Sequence, residues 1–357
     1  MIILSKNLIV LGELHQDLYY ESDFYEQLVE KFVSNLLTFI QYNPDDLNKK
    51  LLERIAKQSF SDTPKKVLGN CYFKRGGNGN NTSEYIVNLG IPTKLISVIG
   101  RGSEWMIEEL KQLGVNTDAI YQIDEITPVS TIIKSNFTTK IHLAPNLKNK
   151  MNFKGININD TVFDNSKMIF STPVAEKFVP LFERASKMGL MTAFNIETQK
   201  IQSIEKLSKL IKQRKDIFFL NLKDAYRILN GKLPIEKVDE KFKKFAYIRV
   251  YTAGKEGSHV FTDNFNIFHP GIEVKDVIDR TGAGDCYAAG FLTKVYELIE
   301  DKEELNNLKT RENSKKLEDI LKICCKYGTY TAIYKITKQV TPTKKIMEEF
   351  INSYKIK

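Results

Sequence analysis

The chain has 357 residues, with 53 Lys and Arg against 44 Asp and Glu, for a net charge of +9. An apolar fraction of 42% supplies a full core and excludes a disordered chain, a disulfide-stapled mini-domain and a collagen-like repeat. No apolar run reaches the roughly 20 residues of a membrane span, and the Lys residues are spread out rather than gathered into a nucleic-acid-binding block.

The first element expected is a buried parallel strand over Asn7 to Gly12, an apolar run ending in Gly. Glu13 and His15 follow at once, so the run is too short for a signal-peptide core. Residues 23 to 60 carry two helical patterns. Leu28, Phe32, Leu36, Phe39 and Ile40 mark one; the second starts at Pro44-Asp45-Asp46 and continues through Leu51 and Ile55. Next comes Gly76-Gly77-Asn78-Gly79-Asn80-Asn81 and a helix to Leu89. A strand follows over Leu95 to Ile99, a helix over Trp105 to Leu113, and a hairpin over Val129 to Lys134 and Thr139 to Leu143. Strands at 168–171, 191–194, 217–221 and 246–251 alternate with helices at 175–188 and 201–212. The pattern predicts a mostly parallel sheet flanked by helices, with a late hairpin at 259–262 and 266–269. The charged stretch Lys302 to Lys316 reads as a solvated helix–loop region.

The cysteines (Cys71, Cys286, Cys324, Cys325) form no C-x-x-C pair, which points to a reducing, cytoplasmic setting. Four scattered histidines make a His-based zinc site a poor expectation.

The most informative segment is Asp279-Arg280-Thr281-Gly282-Ala283-Gly284-Asp285. Cys286, Ala289, Leu292, Tyr296 and Ile299 recur at helical spacing after it, so a helix starts here. Small residues before a helix leave amide N–H groups without partners, and with the helix dipole these make an anion site. Such a site stabilises charge on a phosphoryl group in transfer, and Asp285 is placed to accept a hydroxyl proton. An N-capping Asp after a glycine turn is the plainer alternative. In the first Gly-rich motif, the glycines allow close backbone approach and Asn78, Asn80 and Asn81 offer donors and acceptors suited to a polyhydroxylated ligand; an ordinary turn has the same composition. Asp17, just after the first strand, lies where open parallel sheets bind ligands.

These residues carry a resemblance to the ribokinase family, the PfkB-type carbohydrate kinases. Gly76-Gly77-x-Gly79-x-Asn81 resembles the family's sugar-contacting signature, and Asp279-x-Thr281-Gly282-Ala283-Gly284-Asp285 its second signature. Asn221-Leu222-Lys223-Asp224 resembles N-x-x-E, and Thr252-Ala253-Gly254-Lys255-Glu256-Gly257 resembles T-x-G-x-x-G. The resemblance implies a three-layer α/β/α domain with a central mostly parallel sheet and a small β-sheet lid. The main domain is expected over 1–20, 82–128 and 144–357, the sugar-side loop and lid over 69–81 and 129–143, and a helical insertion over 21–68.

The implied activity is ATP-dependent phosphorylation of a sugar or sugar-acid hydroxyl, with a nucleoside kinase or a non-catalytic sugar- or nucleotide-binding regulator as alternatives. Asp285 is then the base, and the amides of Gly282, Ala283 and Gly284 form the anion hole. Asp17, Gly76, Gly77 and Asn81 hold the acceptor. Asn221, Thr252, Gly254 and Gly257 line the nucleotide, and Asp224 organises Mg²⁺ through water. Asp279 and Thr281 match positions that often bind a monovalent cation such as K⁺. No nucleic-acid or membrane partner is implied.

The chain departs from the family pattern at several points. Arg101-Gly102-Ser103-Glu104-Trp105 stands where acidic residues are usual, and Arg101 could hold an anionic substituent or be an ordinary surface residue. Ser171 stands where ribokinase itself carries a ribose-contacting Glu. Asp224 is one methylene shorter than Glu. Phe137, Phe170 and Trp105 offer stacking surface for a nucleobase, or simply pack. The insertion's aromatics (Phe24, Phe32, Phe39, Tyr42) suit a lid cover, a homodimer contact or a surface hairpin.

Overall fold

The computed structural model describes residues 6–42, 48–135, 139–197 and 201–355. In chain order the elements are β1 (Asn7–Gly12), β2 (His15–Glu21), α1 (Phe24–Tyr42), α2 (Lys49–Ser61), β3 (Asn70–Gly76), α3 (Asn78–Asn88), β4 (Thr93–Arg101), α4 (Glu104–Gln112), β5 (Ile120–Ile126), β6 (Val129–Lys134), β7 (Thr139–His142) and α5 (Pro145–Lys150). Then follow β8 (Ser166–Thr172), α6 (Val179–Lys187), β9 (Met191–Asn195), α7 (Ile204–Leu210), β10 (Lys215–Asn221), α8 (Leu222–Ile228), α9 (Ile235–Phe242), β11 (Ala246–Thr252), β12 (Gly257–Phe261), β13 (Asn266–Pro270), α10 (Ala283–Leu298), α11 (Lys302–Leu308), α12 (Ser314–Lys338) and α13 (Lys344–Lys355). No helix among the described residues is long and apolar enough to cross a membrane.

Two units divide the chain. The larger comprises Met1–Leu14, Gly76–Ile126 and Lys150–Lys357; the smaller comprises His15–Arg75 and Thr127–Asn149. The larger unit is built on a nine-stranded sheet in the order β13-β12-β11-β10-β9-β8-β1-β4-β5. Pairing from β11 across to β5 is parallel, and the β11–β12 and β12–β13 pairings are antiparallel, so β12 alone runs against the others.

The alternation along β1 explains why its apolar run is unbroken. Leu8 and Val10 join a core with α3, α4, α10 and α12, while Ile9 and Leu11 join a second core with α6 to α9. A strand covered on both faces needs apolar side chains at every position. Glycine decides how closely helices seat on this frame. A Cβ on Gly12 would fall 2.7 Å from the Gly79 Cα, and one on Gly79 would fall 2.6 Å from the Gly12 carbonyl carbon. A Cβ on Gly290 of α10 would fall 2.5 Å from the Thr331 Oγ1 and 3.1 Å from the Gly328 Cα of α12.

The smaller unit holds a four-stranded sheet, β3-β2-β6-β7, together with α1 and α2. Tyr19 and Tyr72 stack at 5.3 Å on this sheet, and Lys74 and Lys134 lie over the Tyr19 ring. In the helical pair, Phe24 packs edge-on against Phe60, while α1 buries none of its residues and Tyr42 is exposed. The expected start of α2 at Pro44 to Asp46, and Phe137, lie outside the described residues. The described part of α2 begins at the N-cap Asn48, whose side chain accepts from the Leu51 N–H at 3.0 Å.

Four expectations are corrected. Residues 15–20 belong to the small sheet as β2, because His15 to Glu21 pairs in register with β6. Asn78 to Asn81 are not a loop beside the lid but the first turn of α3 in the larger unit, drawn there by the Gly12–Gly79 contact. Ile120–Ile126 is an additional strand whose mixed polar sequence hides its pairing with β4. Finally, Lys302 to Lys316 is more than a solvated surface. Leu305 and Leu308 are buried, and Lys302 and Lys309 both bond the buried Asp216 carboxylate, the latter at 2.6 Å.

Gly79→Ala is expected to lower stability by about 1–3 kcal/mol, because two backbones must separate to admit the methyl. Gly231→Ala meets nothing within 4 Å and should stay within about 0.5 kcal/mol of the parent. Chemical denaturation of the two variants checks the contrast.

Candidate functional site

Parallel pairing aligns the carboxyl ends of β1, β4, β8, β9, β10 and β11 along one edge of the large sheet, the edge at which such sheets bind ligands. Asn221 and Thr252, from two separate motifs, are register partners at the ends of β10 and β11. The Asn221 side chain also N-caps α8, accepting from the Lys223 N–H at 3.0 Å. Asp224 lies in the first turn of α8 and pairs with Arg227 at 2.9 Å. Beyond Thr252, Gly254 is exposed with φ +60°. Gly257 serves the backbone instead. Its φ is +113° and a Cβ there would sit 2.1 Å from the His269 carbonyl oxygen, so the β11–β12 connection itself requires glycine.

The turn before α10 is shaped by Gly282, the helix N-cap, in the left-handed region at φ +76°. A Cβ there would also fall 2.9 Å from the Tyr85 hydroxyl of α3. The helix of the first Gly-rich motif and the turn of the second are thus in contact within the larger unit. One predicted anion-hole donor is diverted, since the Ala283 N–H donates to the Arg280 carbonyl at 3.2 Å. Among the described residues, the Gly282 and Gly284 N–H groups make no hydrogen bond to the protein. Gly284 is exposed, and a Cβ on it would meet nothing within 4 Å among the described residues, so their packing does not require glycine there.

Asp285 follows in the first turn of α10, partly buried. Burial pushes its carboxyl up to about 7, and the neighbouring Glu197 carboxylate, just after β9, adds to the rise. Cys286 is fully buried behind it and its thiol is pushed far up by desolvation, which makes it a packing residue. Glu197 escaped the sequence reading because nothing local marks it; its position two residues beyond β9, at the carboxyl edge, is the only signal.

Asp279 and Thr281 are bonded to each other. The Asp279 Oδ1 accepts from the Thr281 N–H at 2.9 Å and its hydroxyl at 2.8 Å. The Asp279 carbonyl oxygen accepts from the Gln339 Nε2 at 2.9 Å.

In the first motif, Gly76 ends β3 and Gly77, at φ +95°, N-caps α3. The Asn80 N–H donates to the Glu13 carbonyl at 3.2 Å, and its buried amide donates to the Asn81 Oδ1 at 3.0 Å. Gly79 therefore serves backbone packing rather than ligand approach, and Asn81 is oriented by Asn80. Asp17 lies in β2 of the smaller unit, 3.3 Å from the His15 Nε2. Arg101 forms an exposed ion pair with Asp124 at 3.2 Å, as a surface Arg would. Ser171 is buried, with no hydrogen-bond partner for its hydroxyl among the described residues. Phe170 is core, edge-on to Phe219 at 5.7 Å, and Trp105 packs against the same core.

Comparison with known proteins identifies the family and the fold. The family model described as pfkB family carbohydrate kinase matches residues 50–344. A nucleoside kinase of Methanocaldococcus jannaschii is 28% identical over 231 residues, covering 62% of this chain and 74% of that protein. A 5-dehydro-2-deoxygluconokinase of Lacticaseibacillus casei is 26% identical over 129 residues, covering 34% of this chain and 39% of that protein. Among solved structures, the M. jannaschii nucleoside kinase superposes with a TM-score of 0.65 at 18% identity over 98% of this chain and 100% of that one. A Xylella fastidiosa fructokinase with bound ATP reaches 0.70 at 14% identity over 99% and 100%. With the fold and the ordered motifs agreeing with a family match over most of its length, this chain belongs to the pfkB family of carbohydrate kinases.

Proposed function

We propose that the chain transfers the γ-phosphoryl group of ATP to a hydroxyl of a sugar, sugar derivative or nucleoside, with Asp285 as the base. The observation that carries this reading is the α10 N-terminus. A carboxyl with a pKa pushed up to about 7 sits next to amide donors that no described residue bonds, at a glycine that packing among the described residues does not require. Asp285 takes the acceptor's proton as its oxygen attacks the γ-phosphorus and ADP leaves. The Gly282 and Gly284 N–H groups and the helix dipole stabilise the charge on the transferring oxygens. Ala283 contributes through the turn it closes rather than as a third donor.

Asn221, Thr252 and Gly254, at the neighbouring strand ends, form the nucleotide side, and Gly257 holds their loop in shape. Asp224 and Asn221 would hold Mg²⁺ through its water shell, where the ion would supply neutralisation of phosphate charge. In the larger unit, Gly76, Gly77 and Asn81 are assigned to the acceptor. The two curated relatives are named as a nucleoside kinase and a 5-dehydro-2-deoxygluconokinase, which supports this acceptor class.

Asp285→Asn should retain ATP binding and lose about 10²–10⁴-fold in turnover, read as ADP release with a panel of sugars and nucleosides. Turnover near the parent value would remove Asp285 from the mechanism. Gly284→Ala should keep the parent melting temperature, because space is open, yet lose turnover as the methyl meets the phosphate.

The pH dependence follows from the sign of the Asp285 shift. The base must be ionised, so kcat/KM should rise as pH passes about 7. Glu197→Gln removes one cause of the raised pKa and should move that limb to lower pH. For stability, a carboxyl whose folded pKa lies above its unfolded value weakens the fold increasingly as pH rises between the two. The melting-temperature advantage of Asp285→Asn over the parent should therefore grow from pH 5 to pH 8.

A further inference from the structure

We infer that the side-chain amide of Gln339, with the Lys335 ammonium beside it, is a built-in substitute for a monovalent cation at the loop that leads into α10, so that this chain needs no K⁺ there. Gln339 is the C-cap of α12, in the left-handed region at φ +57°. From that position its side chain folds back over the helix end. The Nε2 lies 2.9 Å from the Asp279 carbonyl oxygen, 3.1 Å from that of Lys335 and 3.2 Å from that of Ile336. Three carbonyl oxygens from two segments far apart in sequence converge on one nitrogen. Converging carbonyls are the donors that replace the hydration shell of a weakly hydrated monovalent cation. Here a neutral N–H donor occupies that point, and a flipped amide would set oxygen against oxygen.

The surroundings supply what a neutral amide lacks. Lys335 Nζ lies 3.4 Å from the Gln339 carbonyl oxygen, and its Cε is 3.8 Å from the position of a Cβ on Gly282. A fixed positive charge thus stands behind the glycine turn. The loop is stitched to the same helix end by backbone bonds, from the Ile278 N–H at 2.9 Å and the Asp279 N–H at 3.4 Å to the Ile336 carbonyl. The Asp279 carboxylate is turned to Thr281 instead. The resemblance to the family implies K⁺ at Asp279 and Thr281; in this chain the Gln339 amide meets the Asp279 carbonyl and the Asp279 carboxylate meets Thr281.

The catalytic importance of this loop rests on the proposed kinase reading, but the cation test does not. Thermal unfolding of the full chain is followed in KCl, RbCl, NaCl and tetramethylammonium chloride at one ionic strength. The parent protein should melt at the same temperature in all four. Gln339→Ala removes the side-chain donor from the carbonyl cluster, leaving the backbone donors in place, and should melt lower in tetramethylammonium chloride, with selective recovery in KCl and RbCl as the ion binds the folded state. If that variant does not fold in any salt, Gln339→Glu decides: its carboxylate among carbonyls should make stability depend on K⁺. Selective stabilisation of the parent by K⁺ would overturn the inference. So would equal indifference to K⁺ in the folded variants, which would leave Gln339 as a helix cap and no more. ATP turnover run alongside separates the two readings: a chain inactive in every salt would refute the kinase proposal while leaving the melting result intact.

Discussion

The site depends on how tightly the N-terminus of α10 is seated. Glycine does this at each contact: Gly282 over the Tyr85 hydroxyl, Gly290 against Thr331 and Gly328, and Gly79 against Gly12, which fixes α3 and so places Tyr85. Backbones in such contact leave little room to shift, so on the proposed reading the N–H groups of Gly282 and Gly284 are held in place before any ligand arrives. Donors fixed in advance cost no reorganisation when charge develops, which is what makes them effective in transfer chemistry.

Electrostatics in the larger unit separate this turn from the rest of the core. Asp216 and Arg249, both buried, are fully partnered. Asp216 takes Lys309, Lys302 and the Thr192 N–H and hydroxyl, and Arg249 lies bidentate on Asp239 at 2.7 and 2.8 Å. Those pairs hold strands and helices together. Asp285 is the opposite case. It is desolvated beside a second carboxylate, and the α10 dipole offsets only part of that cost. A carboxyl near neutrality can take a proton from a hydroxyl and release it again, whereas one held fully ionised by a buried cation could not do so as readily.

Local signals made much of this visible in the sequence. The apolar run of β1, the helical spacing after Cys286 and the order of the glycine motifs are each set within a dozen residues, and the structure has them as strand, helix and turns. What stayed hidden depends on partners far along the chain. Gly79 looks like a ligand loop until Gly12 is found against it. Lys302 and Lys309 look solvated until β10 brings Asp216 beneath them. Ala283 reads as a donor until Arg280 takes its N–H. Glu197 and Gln339 carry no local pattern, since each acts through a residue that only the fold delivers, Asp285 in one case and Asp279 in the other.

The central claim is that the α10 N-terminus is where phosphoryl transfer occurs. The most direct measurement is a crystal structure of the protein with a non-hydrolysable ATP analogue and a bound acceptor. The γ-phosphate is expected against the Gly282 and Gly284 amides, with an acceptor hydroxyl in hydrogen-bond reach of the Asp285 carboxylate. A nucleotide bound with its terminal phosphate away from that turn, or an acceptor with no hydroxyl near Asp285, would contradict it.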